Sequence, residues 1–421
     1  MIKITIFITL FLLTAVCLAS NSDPLWKHSA YKAFPKNEDD LKLLRSIWRK
    51  YGSNIDFWSE PNRLLHPVAF SVSPKVRERV VKNITQSGIK ISLITKDLKE
   101  MVDAETEHLS KIVEAFGADE VTNFETYHAY EKIEQILESW KTKYPENVKT
   151  EVIGTTWEKR SIHAIRITDG KVEKTTIIFF ECGIHAREWI APATCLYFIN
   201  ILLGNKIDSE SLLNKYDFYF IPVLNVDGYV HSWTTNRNWR RNRFPGTIGF
   251  GACHGVDLNR NFEPEHCNVQ GVKNLCFQDY CGIGAFSEIE SRALRNFINT
   301  LTKNKRIKVY FAIHSFGQLW VYPWGYKDTP TTKHKLYNEM AKNATDAIRK
   351  THKQEYSYGQ IYQTIYPCSG TSLDWIEYKN LADFAFTIEL RDGDDYGFVL
   401  PPEFIKPTAE ENWNGIKAVI G

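Results

Sequence analysis

From Tyr130 onward the chain alternates short, mainly apolar runs with longer helical stretches, and that alternation restricts it to a sheet packed between helices. The apolar runs lie at 162–167, 176–180, 218–224, 309–313 and 384–388. Their length and β-branched or aromatic content suit strands buried on both faces. Helical segments fall between them, at 191–203 and 288–301, the second introduced by Ser287 with Glu290 three positions on, the pattern of a capping box. A helix carrying Tyr130, Ile133, Leu137, Trp140 and Tyr144 on one side opens this region, and Pro145 stops it. The expected fold is α/β, a mixed central sheet sandwiched by helices.

The preceding residues have a different rhythm. Leu41, Leu44, Ile47 and Trp48 mark a helix face, Val68, Phe70 and Val72 alternate as in a strand, 76–84 is helical, and Ile89, Ile91 and Leu93 alternate again. This describes a small α+β open sandwich of the split βαβ kind. A charged helix at 98–116 and the acidic link Gly117-Ala118-Asp119-Glu120 follow. At the start, Lys3, the apolar stretch 4–16 and Cys17-Leu18-Ala19 form a secretory leader. A membrane-spanning helix needs about 20 apolar residues, more than this stretch supplies, and no later stretch is long enough. The expected organisation is a leader at 1–20, a small domain at 21–116 and a large one at 117–421, in a secreted, extracellular protein.

Lysine plus arginine total 52 against 50 aspartate plus glutamate, so no net charge favours nucleic acid or a membrane surface as partner. A small substrate or peptide fits better. Of eight cysteines, Cys17 leaves with the leader. Cys182, Cys195, Cys253, Cys267, Cys276 and Cys281 form two groups that read as three disulfides, with Cys368 left over. No close CxxC pair occurs among Cys253 to Cys281, which argues against a structural zinc site there. Sequons at Asn83 and Asn343 fit secretion.

Chemistry concentrates where apolar runs end. The run 176–180 leads into Cys182-Gly183-Ile184-His185-Ala186-Arg187-Glu188-Trp189, in which His185 and Glu188 face one point if the chain turns helically. Such a pair alone is common. His314 closes the run 309–313, and in open α/β sheets ligands bind at the carboxyl ends of strands. Two imidazoles, one carboxylate and a water describe a catalytic zinc. Glu389 ends the run 384–388 and is placed to take a proton from the attacking water.

Together these residues resemble the zinc metallocarboxypeptidases of the pancreatic A/B type. The matching blocks are 183–192 (GIHAREWIAP), 257–262 (DLNRNF), 312–315 (AIHS) and 387–392 (TIELRD), in that order, and the likeness extends to Asp56-Phe57-Trp58. The resemblance implies one zinc on His185, Glu188 and His314, the established ligand set of carboxypeptidase A, with Glu389 as general base. It implies further that Arg240 stabilises the oxyanion, Asn259 and Arg260 grip the substrate's terminal carboxylate, Tyr366 closes over it, and Arg187 touches the substrate further from its terminus. Arg241 and Arg243 read as a solvated basic face.

At the matching pocket position the B-type relatives carry a carboxylate, whereas this chain carries Leu373, with Ile361, Ile365, Val321 and Gly325 as the other expected walls. The implied preference is A-type, for aromatic or large aliphatic termini, with Asp374 facing elsewhere. A B-type or broad-specificity enzyme, or an inactive binding homologue, is the alternative. The implied disulfides are Cys182–Cys195, Cys253–Cys276 and Cys267–Cys281. The N-terminal domain resembles an inhibitory pro-segment, and its release needs a protease. The expected state is a monomer acting on peptide C-termini.

 The link from 112 to 131 contains no arginine or lysine, so either cleavage falls after Lys111, leaving a short tail, or a protease of other specificity acts.

Overall fold

The computed structural model describes residues 27–59, 61, 64, 66–116, 124–204, 206–246, 253–269, 272–392 and 396–421. The expected leader at 1–20 and the boundary at 117 lie outside the described residues. The first unit contains β1 (Ser29–Phe34), α1 (Glu38–Tyr51), β2 (Ile55–Phe57), β3 (Val68–Val72), α2 (Arg77–Gln86) and β4 (Lys90–Thr95). Its strands form an antiparallel sheet in the order β2-β3-β1-β4. Asn37 caps α1 by accepting from the Asp40 amide, and three acidic residues fill the first turn. The predicted face of α1 buries Leu41, Leu44 and Ile47; Leu44 and Ile47 join Phe57, Phe70, Val72, Val80 and Ile84 in the small core. Leu93 departs from the expected alternation and is exposed, because β4 is the sheet's edge strand. The long helix α3 (Leu98–Phe116) then leaves this unit.

The larger unit runs α4 (Tyr130–Lys143), β5 (Val148–Thr155), β6 (Ser161–Ile167), β7 (Thr176–Cys182), α5 (Ile190–Gly204), α6 (Lys206–Leu213), β8 (Asp217–Ile221) and α7 (Val226–Thr234). It continues with α8 (Ile289–Leu301), β9 (Arg306–Ser315), β10 (Leu319–Tyr322), α9 (His334–His352), β11 (Ser357–Gln360), α10 (Ile361–Thr364), α11 (Ser372–Tyr378), β12 (Ala382–Leu390) and α12 (Ile405–Ile420). Eight strands form one mixed sheet, in the order β11-β10-β12-β9-β7-β8-β6-β5. The central four, β12, β9, β7 and β8, are mutually parallel, while β10 and β6 flank them antiparallel. Consecutive residues of β7 show why its apolar stretch is uninterrupted. Phe180 packs on Phe198 of α5 and Phe179 on Phe297 of α8, so both faces of the sheet are covered by helices.

Two local expectations are corrected. The capping box at α8 does not form: Ser287 Oγ donates to Glu288 Oε1 at 2.8 Å and accepts from Asn261 Nδ2, while Glu290 accepts from Asn242 Nδ2 at 3.0 Å. Side chains from the neighbouring loops satisfy both residues, and the N-cap is Glu288, whose amide Asn261 Oδ1 accepts. Of the three expected disulfides, Cys253–Cys276 and Cys267–Cys281 are present, whereas Cys182 and Cys195 are buried free cysteines, their thiols hydrogen-bonded rather than joined. Among the described residues, cross-linking is thus confined to the 253–281 loop, and apolar packing holds α5 on the sheet. Cys368 is a buried core residue, as its small apolar character suggests.

Candidate active site

The three central strands β7, β9 and β12 end at the same edge of the sheet, and each delivers one part of the site. Beyond β7 the chain makes a single turn, with the Glu188 amide 3.4 Å from the His185 carbonyl, before α5 begins. This turn aims His185 and Glu188 at one point without the helix the i, i+3 spacing suggests. His314 lies in β9, and the β9–β12 register sets Glu389 beside it. His185 Nδ1 is 2.7 Å from Glu188 Oε1 and 3.2 Å from His314 Nδ1; His314 Nδ1 is also 3.2 Å from Glu188 Oε2.

All three side chains are buried, and their ligand atoms lie within 4.8 Å of one another. Two imidazole nitrogens and a carboxylate oxygen crowded together out of water match the donor set of a zinc ion, so the residues present fit the metal. Asp257 Oδ1 lies 3.1 Å from His185 Nε2, which fixes the ring and leaves Nδ1 facing the metal position. Asp257 also binds Arg240, through Nε at 2.9 Å and Nη2 at 2.8 Å. Burial works against the Asp257 charge, but Arg240 and His185 outweigh it and hold the carboxyl well below its ordinary value. For Glu389 burial prevails over the attraction of His314 and keeps its pKa above the usual carboxyl range.

His185, Glu188, Arg187, Arg240, Asn259, Arg260, Tyr366 and Glu389 all border one cleft of about 440 Å³. Arg260 Nη2 donates to the Tyr366 hydroxyl at 2.9 Å. Asn259 Oδ1 accepts from the Ser372 amide at 3.0 Å. The backbone of Arg260 is closely packed by Gly370, whose φ of +76° suits glycine and whose added Cβ would lie 2.3 Å from the Arg260 carbonyl oxygen. His314 and Leu373 do not line this cleft: His314 is buried at the end of β9 and Leu373 is buried in α11, and of the expected pocket walls only Ile365 borders the cleft. The neighbouring Asp374 faces inward, accepting from the Gly325 and Tyr326 amides.

Two units of the chain meet over this cleft. Trp58 and Phe398 stack edge to face, and Ala30, Ala69, Leu98 and Val399 complete an apolar seam. Asp56 Oδ2 accepts from Arg187 Nη1 and Asn238 Nδ2, both at 2.6 Å. Glu105 of α3 is paired with Arg237, whose guanidinium also lies 3.6 Å from the centre of the Trp189 ring.

Comparison with known proteins decides the family. Residues 133–415 match the zinc carboxypeptidase family, and residues 31–105 match the carboxypeptidase activation peptide. The chain belongs to the zinc carboxypeptidases. It is 35% identical to human (Homo sapiens) carboxypeptidase B over 98% of each chain, and 33% identical to human mast cell carboxypeptidase A over 93% of each. The crystal structure of carboxypeptidase A from Helicoverpa armigera superposes with a TM-score of 0.85 at 27% identity, covering 94% of this chain and 97% of that one. The enzyme is therefore a zinc-dependent metallocarboxypeptidase that acts on peptide C-termini and carries an activation peptide.

Some functional residues of the carboxypeptidase escaped the sequence reading. Asp257 belongs to a quoted block, yet nothing local marks it as the partner of both His185 and Arg240. Asn238, Arg237 and Glu105 act through contacts spanning more than a hundred residues, for which the sequence carries no signal. The expected solvated face at Arg241 and Arg243 is also corrected. Arg241 is buried, donates to the Leu275 and Phe277 carbonyls, and is pulled down to about 10 by desolvation. Arg243 is half-buried and pairs with Glu158 at 3.2 Å.

Proposed function

We propose that this carboxypeptidase is secreted as a precursor, is activated by proteolysis after Lys111, and releases aromatic or large aliphatic C-terminal residues as a monomer. Residues 21–116 would be the inhibitory segment and 117–421 the catalytic domain. The observation that carries the chemistry is the convergence of His185, Glu188, His314 and Glu389 at adjacent strand ends, with Arg240 and Arg260 in the same cleft.

His185, Glu188 and His314 would hold the zinc. When bound, the metal lowers the pKa of water to about 7 and polarises a carbonyl. Glu389 takes the proton from the attacking water and returns it to the leaving amine, a role suited to a carboxyl whose pKa burial has raised. Arg240, held by Asp257, presents its Nη1 edge toward the metal position and stabilises the developing oxyanion. Asn259 and Arg260 bind the terminal carboxylate, Arg260 by the fork geometry of its guanidinium. Tyr366, already bonded to Arg260, closes over the substrate, and Arg187 holds the peptide upstream.

The A-type preference rests on the resemblance that matches Leu373, rather than a carboxylate, to the floor of the terminal side-chain pocket; an unpaired buried ammonium would cost several kcal/mol. Secretion rests on the leader sequence, and no described helix is long and apolar enough to cross a membrane. The test is hydrolysis of blocked dipeptides ending in Phe or Arg by the trypsin-treated precursor, with and without a zinc chelator. Chelator-sensitive cleavage of the Phe substrate alone is expected. Cleavage of the Arg substrate alone would overturn the preference and leave the zinc chemistry standing.

A further inference from the structure

The contact made by Asp56 has the construction of a ligand site. Two donors of the catalytic domain, Arg187 Nη1 and Asn238 Nδ2, converge on one oxygen of its carboxylate at 2.6 Å each. The Arg187 guanidinium lies 4.0 Å from the centre of the Phe398 ring, so hydrocarbon covers one face and directs the charge along its edge. Arg187 is 1% exposed, and its Nε finds no hydrogen-bond partner among the described residues. Once the N-terminal domain leaves, a buried cation and an amide donor face the open cleft. A neutral carbonyl there would satisfy a hydrogen bond and leave the charge uncompensated, whereas a carboxylate supplies both.

We propose that Arg187 and Asn238 form a carboxylate subsite, filled by Asp56 in the precursor and by an Asp or Glu side chain of the substrate in the activated enzyme. Arg187 stands between the zinc ligands His185 and Glu188 in the chain, so the subsite is fixed close to the reaction centre. The acidic residue therefore lies a few places upstream of the bond that is cut. This preference adds to the one for the terminal residue and rests on the carboxypeptidase activity, not on the assignment of Leu373.

The experiment walks Asp, and separately Asn, through the third and fourth positions from the C terminus of short peptides ending in Phe and again in Arg. With the zinc-loaded, proteolytically activated enzyme, kcat/KM for Asp should exceed that for Asn by about tenfold at one of these positions, the value of one charge-assisted hydrogen-bonded pair. Asn238→Leu should reduce the ratio, and Asn238→Asp, which keeps the shape and adds a repelling charge, should invert it. Dissociation constants measured calorimetrically on Glu389→Gln should give the same order without turnover. Equal values for Asp and Asn at both positions, or an Asp preference unaltered in Asn238→Asp, would overturn the subsite. Tighter binding of the Asp peptide without turnover in the parent enzyme would support the subsite while refuting the catalytic reading.

Discussion

Glu105 and Arg237 are joined at two points, Arg237 Nε to Oε2 at 2.6 Å and Nη2 to Oε1 at 3.1 Å, and the pair is buried between α3 and the catalytic domain. The interaction ties the connecting helix to the body it must eventually leave. Removing one partner strands the other in a desolvated place, at a cost of about 3–5 kcal/mol. Glu105→Ala should therefore loosen α3, speed tryptic cutting after Lys111, and raise the activity of the uncut chain. Cutting at the parental rate would show that the pair does not hold the helix.

Glu389→Gln keeps the size of the side chain and removes its ability to take a proton. Metal content measured by atomic absorption should stay at one zinc per chain, while kcat falls by about 10²–10⁴-fold. Comparable turnover by the variant would exclude Glu389 as the base.

Gly370→Ala forces a Cβ to within 2.3 Å of the Arg260 carbonyl oxygen at a φ of +76°. The backbone of Arg260 must move, and with it the clamp for the terminal carboxylate. The expected kinetic result is a rise in KM larger than the fall in kcat, accompanied by a stability loss of about 1–3 kcal/mol. An unchanged KM would show that the close approach does not position Arg260.

Glu290 gives a test in pH. Desolvation raises its pKa to about 7, assisted by Glu288 and Asp227 and opposed by Asn242, against an ordinary value of 4.5. The folded state therefore binds this proton more tightly than the unfolded chain. Its stabilising contribution is complete below about pH 4.5 and is lost as pH rises to about 7, at roughly 1.4 kcal/mol per unit across that window. Denaturation of the parent and Glu290→Gln forms at pH 4.5 and 8 should show the parent losing about 2–4 kcal/mol relative to the variant. A constant difference between the two proteins would refute the linkage.

The legibility of the molecule follows its physics. The five apolar runs all became central or adjacent strands because a sheet covered on both faces favours apolar residues along most of each strand, and that demand is legible in the sequence. His185, Glu188, His314 and Glu389 could be named because each closes or follows such a run. Leu93 misled because alternation does not reveal which strand will lie at an edge. Ser287 and Glu290 misled because their partners, Asn261 and Asn242, come from distant loops. Arg241 looked solvated since nothing local announces that the Leu275 and Phe277 carbonyls will receive it. Side chains whose role depends on a partner remote in sequence stay hidden until the chain folds.

Asp56 and the donors it engages, Arg187 and Asn238, belong to a single polypeptide. While the link is intact, the blocking carboxylate acts at an effective concentration of about millimolar, whatever the protein concentration around it. Cutting the link turns that fixed value into the free concentration of a released fragment. Onset of activity then follows dilution as well as cleavage: the same cut molecule stays silent where it is stored crowded and becomes active where it is dispersed.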